Sequence, residues 1–165
     1  MDFNRDVIRP ALQDIRVELE DEFDRNFERK AFFDEAWDQV KADPGIGSLM
    51  NRTGTLRRSM DARLEGDSII FSSSMPYARV HNEGGQVTTR IPVTDKMRRW
   101  AWYMHKLTGD DKYKGMALTK KTEFTATFTM PKRQFIGHHP QIDEAVTDII
   151  DGYMRPYMDD IFRNV

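Results

Sequence analysis

The sequence predicts an α+β fold: a long N-terminal helix, an antiparallel β-sheet of about four or five strands with an inserted helix, and a C-terminal helix. Three observations carry that expectation. Apolar residues recur at helical spacing near both ends of the chain. Runs between them, above all Thr122–Met130, alternate in the manner of strands. Glu65-Gly66-Asp67, with glycine in the middle, reads as a tight hairpin loop that needs a strand on each side. The length of 165 residues points to a single domain over 1–165.

The N-terminal stripe is Ile8, Leu12, Ile15, Leu19, Phe23 and Phe27, at steps of 4, 3, 4, 4 and 4. Pro10 lies near its start, where a missing N–H is tolerated. Charged residues such as Asp14, Glu18, Asp21 and Asp24 fill the other faces, so residues 1–38 read as mostly helix, closed by Phe32, Phe33 and Trp37. The stripe serves either the chain's own sheet or a neighbouring subunit. Asp43-Pro44-Gly45-Ile46-Gly47-Ser48 is a turn cluster. Thr55–Leu64 carries both helical and alternating features, and its second half is taken as a strand. Asp67–Ser74 follows as another strand. Gln86–Val93 is β-prone up to Pro92. Thr94 is then an N-cap, with Met97, Trp100, Ala101, Met104 and Leu107 as an inward stripe and Gly109 as the stop. Residues 110–121 show no period and read as a mobile basic loop. Phe124, Ala126, Phe128 and Met130 share one face of the strand that Pro131 ends. Pro140 opens the last helix, whose apolar face is Ile142, Val146, Ile149, Ile150, Tyr153, Tyr157 and Ile161.

The net charge of −2 hides a division. Residues 1–43 hold 7 Lys and Arg against 13 Asp and Glu, whereas residues 86–133 hold 11 against 4. Such a basic middle either packs within its own chain or meets the acidic helix of a neighbouring subunit, a head-to-tail contact that can close into a ring. Nothing approaches the roughly 20 apolar residues that cross a bilayer, and the charged start (Asp2, Arg5, Asp6) does not read as a secretory leader. The absence of cysteine excludes disulfides and thiolate chemistry and fits assembly in a reducing cytoplasm.

The chain is organised around Pro76-Tyr77-Ala78-Arg79-Val80-His81-Asn82-Glu83-Gly84-Gly85, a short turn that ends in a Gly-Gly bend. It follows Leu49-(x)4-Gly54-Thr55-Leu56-Arg57-Arg58-Ser59 and precedes Met130-Pro131-(x)-Arg133-(x)-Phe135-Ile136-Gly137. In this order the three blocks resemble the phage virion-morphogenesis, or tail-completion, family. The motif positions are Gly54, Leu56, Ser59, Tyr77, His81, Gly84, Gly85, Pro131, Arg133, Phe135 and Gly137. Phe135 reads as an anchor in the core, and Arg133 as a partner for a backbone carbonyl or a carboxylate.

The resemblance implies a structural protein at the virion neck, assembled in the bacterial host's cytoplasm. It would be a tail-completion or terminator ring, hexameric by analogy, that caps the tail tube and joins tail to head. Its partners would be the tail tube protein and the head–tail connector proteins, and DNA would pass its pore unread. A head-side connector ring is the alternative. A nucleic-acid-binding accessory protein is a further one, using Arg98, Arg99, Lys106, Lys112, Lys114, Lys120 and Lys121. Of these, Arg98, Arg99, Lys112, Lys114, Lys120 and Lys121 are the candidate interface. The chain has no Gly-rich phosphate loop, His-Glu-x-x-His or Gly-x-Ser-x-Gly. His81 lacks a second ligand at metal spacing. The expectation is therefore no enzyme: no catalytic residue, no metal and no cofactor.

Overall fold

A computed structural model describes residues 2–39 and 48–163. The turn cluster at 43–48 falls outside these residues except for Ser48. The chain forms two compact units: a body of residues 1–84 and 131–165, and an insertion of residues 85–130.

The body begins with a π-helical turn, Asn4–Ile8, that runs into helix α1, Arg9–Arg29. Ala11, Ile15, Leu19, Phe23, Asn26 and Phe27 are its buried positions. The stripe therefore holds from Ile15 onward, while at its start Val7 and Ala11 are buried and the expected Ile8 and Leu12 are half-buried. The helix stops earlier than the sequence reading had it. Lys30 adopts the left-handed conformation (φ 57°), and Ala31–Phe32 (β1) pairs with Glu35–Ala36 (β2) in a small hairpin. At about 100° per residue, a continued helix would point Phe32 and Phe33 about 140° and 240° away from Phe27. The hairpin instead buries both rings, together with Trp37.

Thr55–Arg58 (α2) leads into strand β3, Met60–Glu65, which pairs antiparallel with β4, Ser68–Ser73. Glu65 faces Ser68 across a two-residue turn at Gly66-Asp67, the hairpin that the sequence marked. Ala78–Glu83 forms the short helix α3. After the insertion, residues 131–139 run without regular pairing into α6, Pro140–Arg163. α6 packs on α1: Ile142, Val146 and Ile149 join the cluster of Ile15, Leu19, Phe23, Phe32 and Phe33, and the Tyr153 hydroxyl donates to Asp14 at 2.5 Å.

The insertion consists of a two-stranded ribbon and a helical hairpin. Gly85–Pro92 (β5) pairs antiparallel with Glu123–Met130 (β6), with Val87 opposite Phe128 and Ile91 opposite Phe124. Asp95–Thr108 (α4) begins where Thr94 Oγ1 accepts from Met97 N at 3.2 Å and ends at Gly109. Residues 111–118, read from sequence as part of a loop, form helix α5, Asp111–Leu118. Asp110 is its N-cap, accepting from Lys112 N at 2.9 Å. The described strands therefore pair as three separate two-stranded ladders, not as one sheet of four or five. α1 packs on the β3–β4 hairpin of the body.

Candidate functional site

The three motif blocks meet in the body around one aromatic cluster. Leu56 from the first block, Ala78 from the second and Phe135 from the third pack with Phe27 and Trp37. Phe27 lies 5.2 Å from Phe135 and 5.8 Å, edge-on, from Trp37, measured between ring centroids. The segment at 133–136 has no strand partner, so side chains satisfy its backbone. Asn82 Oδ1 accepts from the N–H groups of both Phe135 and Ile136, at 2.9 and 3.0 Å. Asn26, fully buried, donates to Phe135 O at 3.2 Å and accepts from Phe33 N at 3.0 Å. Trp37 Nε1 donates to Gln134 O at 2.7 Å. Arg133, also buried, directs Nε and Nη2 at the carbonyl of Asp38, both at 3.0 Å.

Sequence reasoning missed Asn26 and Asn82. One signal was available for Asn26: an amide beside Phe27 on a stripe that is otherwise apolar. It also missed Arg57, which ties α2 to α1 through Asp24 and Glu28. Those two carboxylates, Asp24 first, raise the Arg57 pKa further above its ordinary value.

The remaining motif residues shape the backbone. Gly54 precedes α2 at φ 68°. Ser59 Oγ donates to Leu56 O at 2.7 Å and lies 2.7 Å from Ser73 Oγ. Gly84 stands at φ 73°, and a Cβ there would come within 2.8 Å of Lys132 N, so both conformation and space call for glycine. Gly85 opens β5, Pro131 is half-buried after β6, and Gly137 sits at φ 152°. Tyr77 is exposed and meets His81 edge-on at 5.8 Å. The His81 carbonyl accepts from Arg133 N at 2.8 Å. Its Nδ1 is buried without a hydrogen-bond partner. Burial first, then the charge of Arg133, hold its pKa below the ordinary 6.5. His138 and His139 bond to different carboxylates, Asp143 and Asp34. Among the described residues, no group of three or more His, Cys, Asp or Glu could hold a metal.

The insertion presents a different surface. Met97, Ala101 and Met104 face inward on α4, but Trp100 and Leu107 do not follow the expected stripe: they are 48% and 66% exposed, and Tyr103 is 62% exposed. The reason is geometric. A two-stranded ribbon and one short partner helix can cover only one side of α4. Lys96, Arg99, Trp100, Tyr103, Lys106 and Leu107, at helical steps of three and four, make the uncovered side. Arg98 turns inward and donates to the carbonyls of Ala117 and Thr119 at the end of α5. Lys112 pairs with Asp110 at 2.7 Å, and Lys121 lies over the Phe124 ring at 5.8 Å. Arg99, Lys114 and Lys120 are exposed.

On the body, a groove of about 470 Å³ opens between α1 and the β3–β4 hairpin. Phe23 and Phe71, edge-on at 4.9 Å, lie in it. Five carboxylates line it against two arginines.

The motif cluster serves packing within the body, and the insertion and the body each carry an exposed, charged surface of their own. The family model for phage virion morphogenesis matches residues 7–155, and the chain belongs to that family. It is a structural and assembly protein of a bacteriophage virion. No curated protein and no solved structure is significantly similar to it. Among the described residues, no helix is long and apolar enough to cross a membrane.

Proposed function

We propose that the chain acts at the virion neck as a tail-completion or terminator ring. Copies close around the DNA path, hexameric by analogy with the family, cap the tail tube protein and join it to the head–tail connector. DNA passes through the ring without being read. The observation that carries this reading is the uncovered side of α4, with Tyr103 and Leu107 exposed and Trp100 half-exposed beside the Tyr113 ring. Exposed apolar patches of this kind mark interaction surfaces. The basic insertion and the acidic α1 give the self-contact its polarity.

The experiment is the solution mass of the purified chain across concentration and at low and high salt. A discrete closed oligomer that loosens at high salt is the expected result. A single chain at every concentration would overturn self-assembly and leave family membership in place. A head-side connector ring rests on the same self-contact, and binding to isolated tails rather than to filled heads separates the two.

The same side of α4 also favours a second reading, since rings next to cations suit single-stranded nucleic acid. DNA binding by the free chain that weakens steeply with salt would establish it. Against it stand the inward turn of Arg98 and the pairing of Lys112.

A further inference from the structure

We infer that subunits join head to tail by one defined contact: the uncovered side of α4 in one copy seats in the α1/β3–β4 groove of the next. The inference rests on the self-assembling reading above and names the surfaces that would perform it.

Each surface lacks what the other holds. On α4, Tyr103 lies at the middle of the uncovered side, with Trp100, Leu107 and, a turn earlier, Lys96 to one side of it and Arg99 and Lys106 along the other edge. This is an apolar strip with cations along one edge and at its N-terminal end. The groove has the inverse pattern. Phe71 and Met60 are half-buried in it, Val17 is 51% exposed at its rim, and carboxylates surround them. Asp24 already pairs with Arg57 and Glu20 with Arg16. Asp21 pairs with Arg25, whose charge Glu18 also feels. Glu18 and Asp61 make no ion pair within 4.0 Å among the described residues and are the carboxylates most open to an incoming cation.

Size agrees with charge. The groove's volume falls within the range of about 300–1,000 Å³ that holds a small ligand, so it has room for a ring and a neighbouring side chain. A fully buried aromatic contributes roughly 150–250 Å². The half-exposed rings of α4 with Leu107 therefore offer roughly 300–400 Å², about half of one side of a standard interface of about 800 Å², the remainder falling to the charged residues around them. The surfaces are different patches of one chain, so the contact is heterologous and propagates until it closes. An isologous pairing of α4 with α4 would set like charges against each other.

The test breaks one surface at a time in the full chain. One variant carries Arg99→Ser with Tyr103→Ser; the other carries Glu18→Lys with Asp61→Lys. All four positions are exposed, and unchanged circular dichroism melting curves would verify that folding is intact. Each variant alone should sediment as a single chain. An equal mixture should form a species of twice the chain mass and stop there, because only one intact α4 and one intact groove remain to meet. Closed oligomers from either variant alone, or a mixture that stays at single-chain mass, overturn the inference while the ring reading stands on the wild-type chain. A wild-type chain that never self-associates overturns both.

Discussion

The body encloses a core of large aromatic side chains, although Phe3, Val17 and Phe162 are exposed on it, whereas the insertion buries no large apolar side chain. In the body, Phe23, Phe27, Phe32, Phe33, Trp37 and Phe135 are all buried. In the insertion the buried residues are two alanines, Ala101 and Ala117, while Trp100, Tyr103, Leu107 and Leu118 are exposed. Size explains much of this. A unit of residues 85–130 is close to the limit below which a chain cannot enclose its own core, and a lone two-stranded ribbon is marginal in water. Fully burying one large apolar side chain stabilises by roughly 1.5–3 kcal/mol. The body collects that gain on folding. The insertion leaves much of it available for association.

The comparison breaks most sharply at Phe135. Phe135→Ala removes the ring at the centre of the motif cluster and should cost about 3–5 kcal/mol, read as a lower urea midpoint at unchanged slope. Leu107→Ala should change the stability of the free chain by no more than about 0.5 kcal/mol. Equal losses would mean that the insertion carries a core of its own. The next largest effect belongs to Asn82. Asn82→Ala strands two N–H groups, Phe135 and Ile136, and an unsatisfied buried group costs about 1–3 kcal/mol. Asn82→Asp keeps an acceptor and should lose less at neutral pH. If the alanine and aspartate variants match, the hydrogen bonds are not what holds this segment.

Much of the secondary structure in both units was legible because its signals are local or periodic. The α1 stripe, the Gly66 hairpin, the Thr94 cap and the alternation of β6 each follow from one local rule applied to named residues. The departures come where tertiary contact decides. Phe32 and Phe33 end the helix because they reach the core only from a hairpin. Residues 111–118 form a helix without a clean stripe because only Ala117 is buried in it. Trp100 and Leu107 have the spacing of core residues, and spacing cannot reveal that Leu107 stays exposed and that Trp100 is covered only in part, by the Tyr113 ring of α5. The motif blocks were legible as an ordered set, but their common task was not. Their contacts run through Asn26, Asn82 and backbone carbonyls, which leave no periodic trace.

A smaller effect concerns dynamics. In the free chain, the β5–β6 amides should exchange with solvent sooner than those in the middle of α1, because few buried apolar contacts hold the ribbon. On assembly, amides of α4 should gain protection. Exchange in β5–β6 as slow as in α1 would contradict the contrast between the two units.

The smallest effect returns to the body and to pH. His81 has a buried Nδ1 with no partner, and it faces Arg133 and the Tyr77 ring. A proton added there meets burial and a like charge. The unfolded chain takes up that proton near the ordinary pKa of 6.5, the folded chain only at lower pH. Between the two values the unfolded state holds more protons, so stability present above the ordinary pKa is lost as pH falls. Lowering the pH from about 7 to about 5, a range that spans the unperturbed histidine pKa, should therefore reduce the urea midpoint of the wild-type chain more than that of His81→Gln. The other histidines and the carboxylates remain in both proteins, so the difference between the two pH profiles isolates this one imidazole. Parallel profiles would mean that His81 is protonated as readily in the folded body as in water, and that the motif cluster is less closed than its geometry requires.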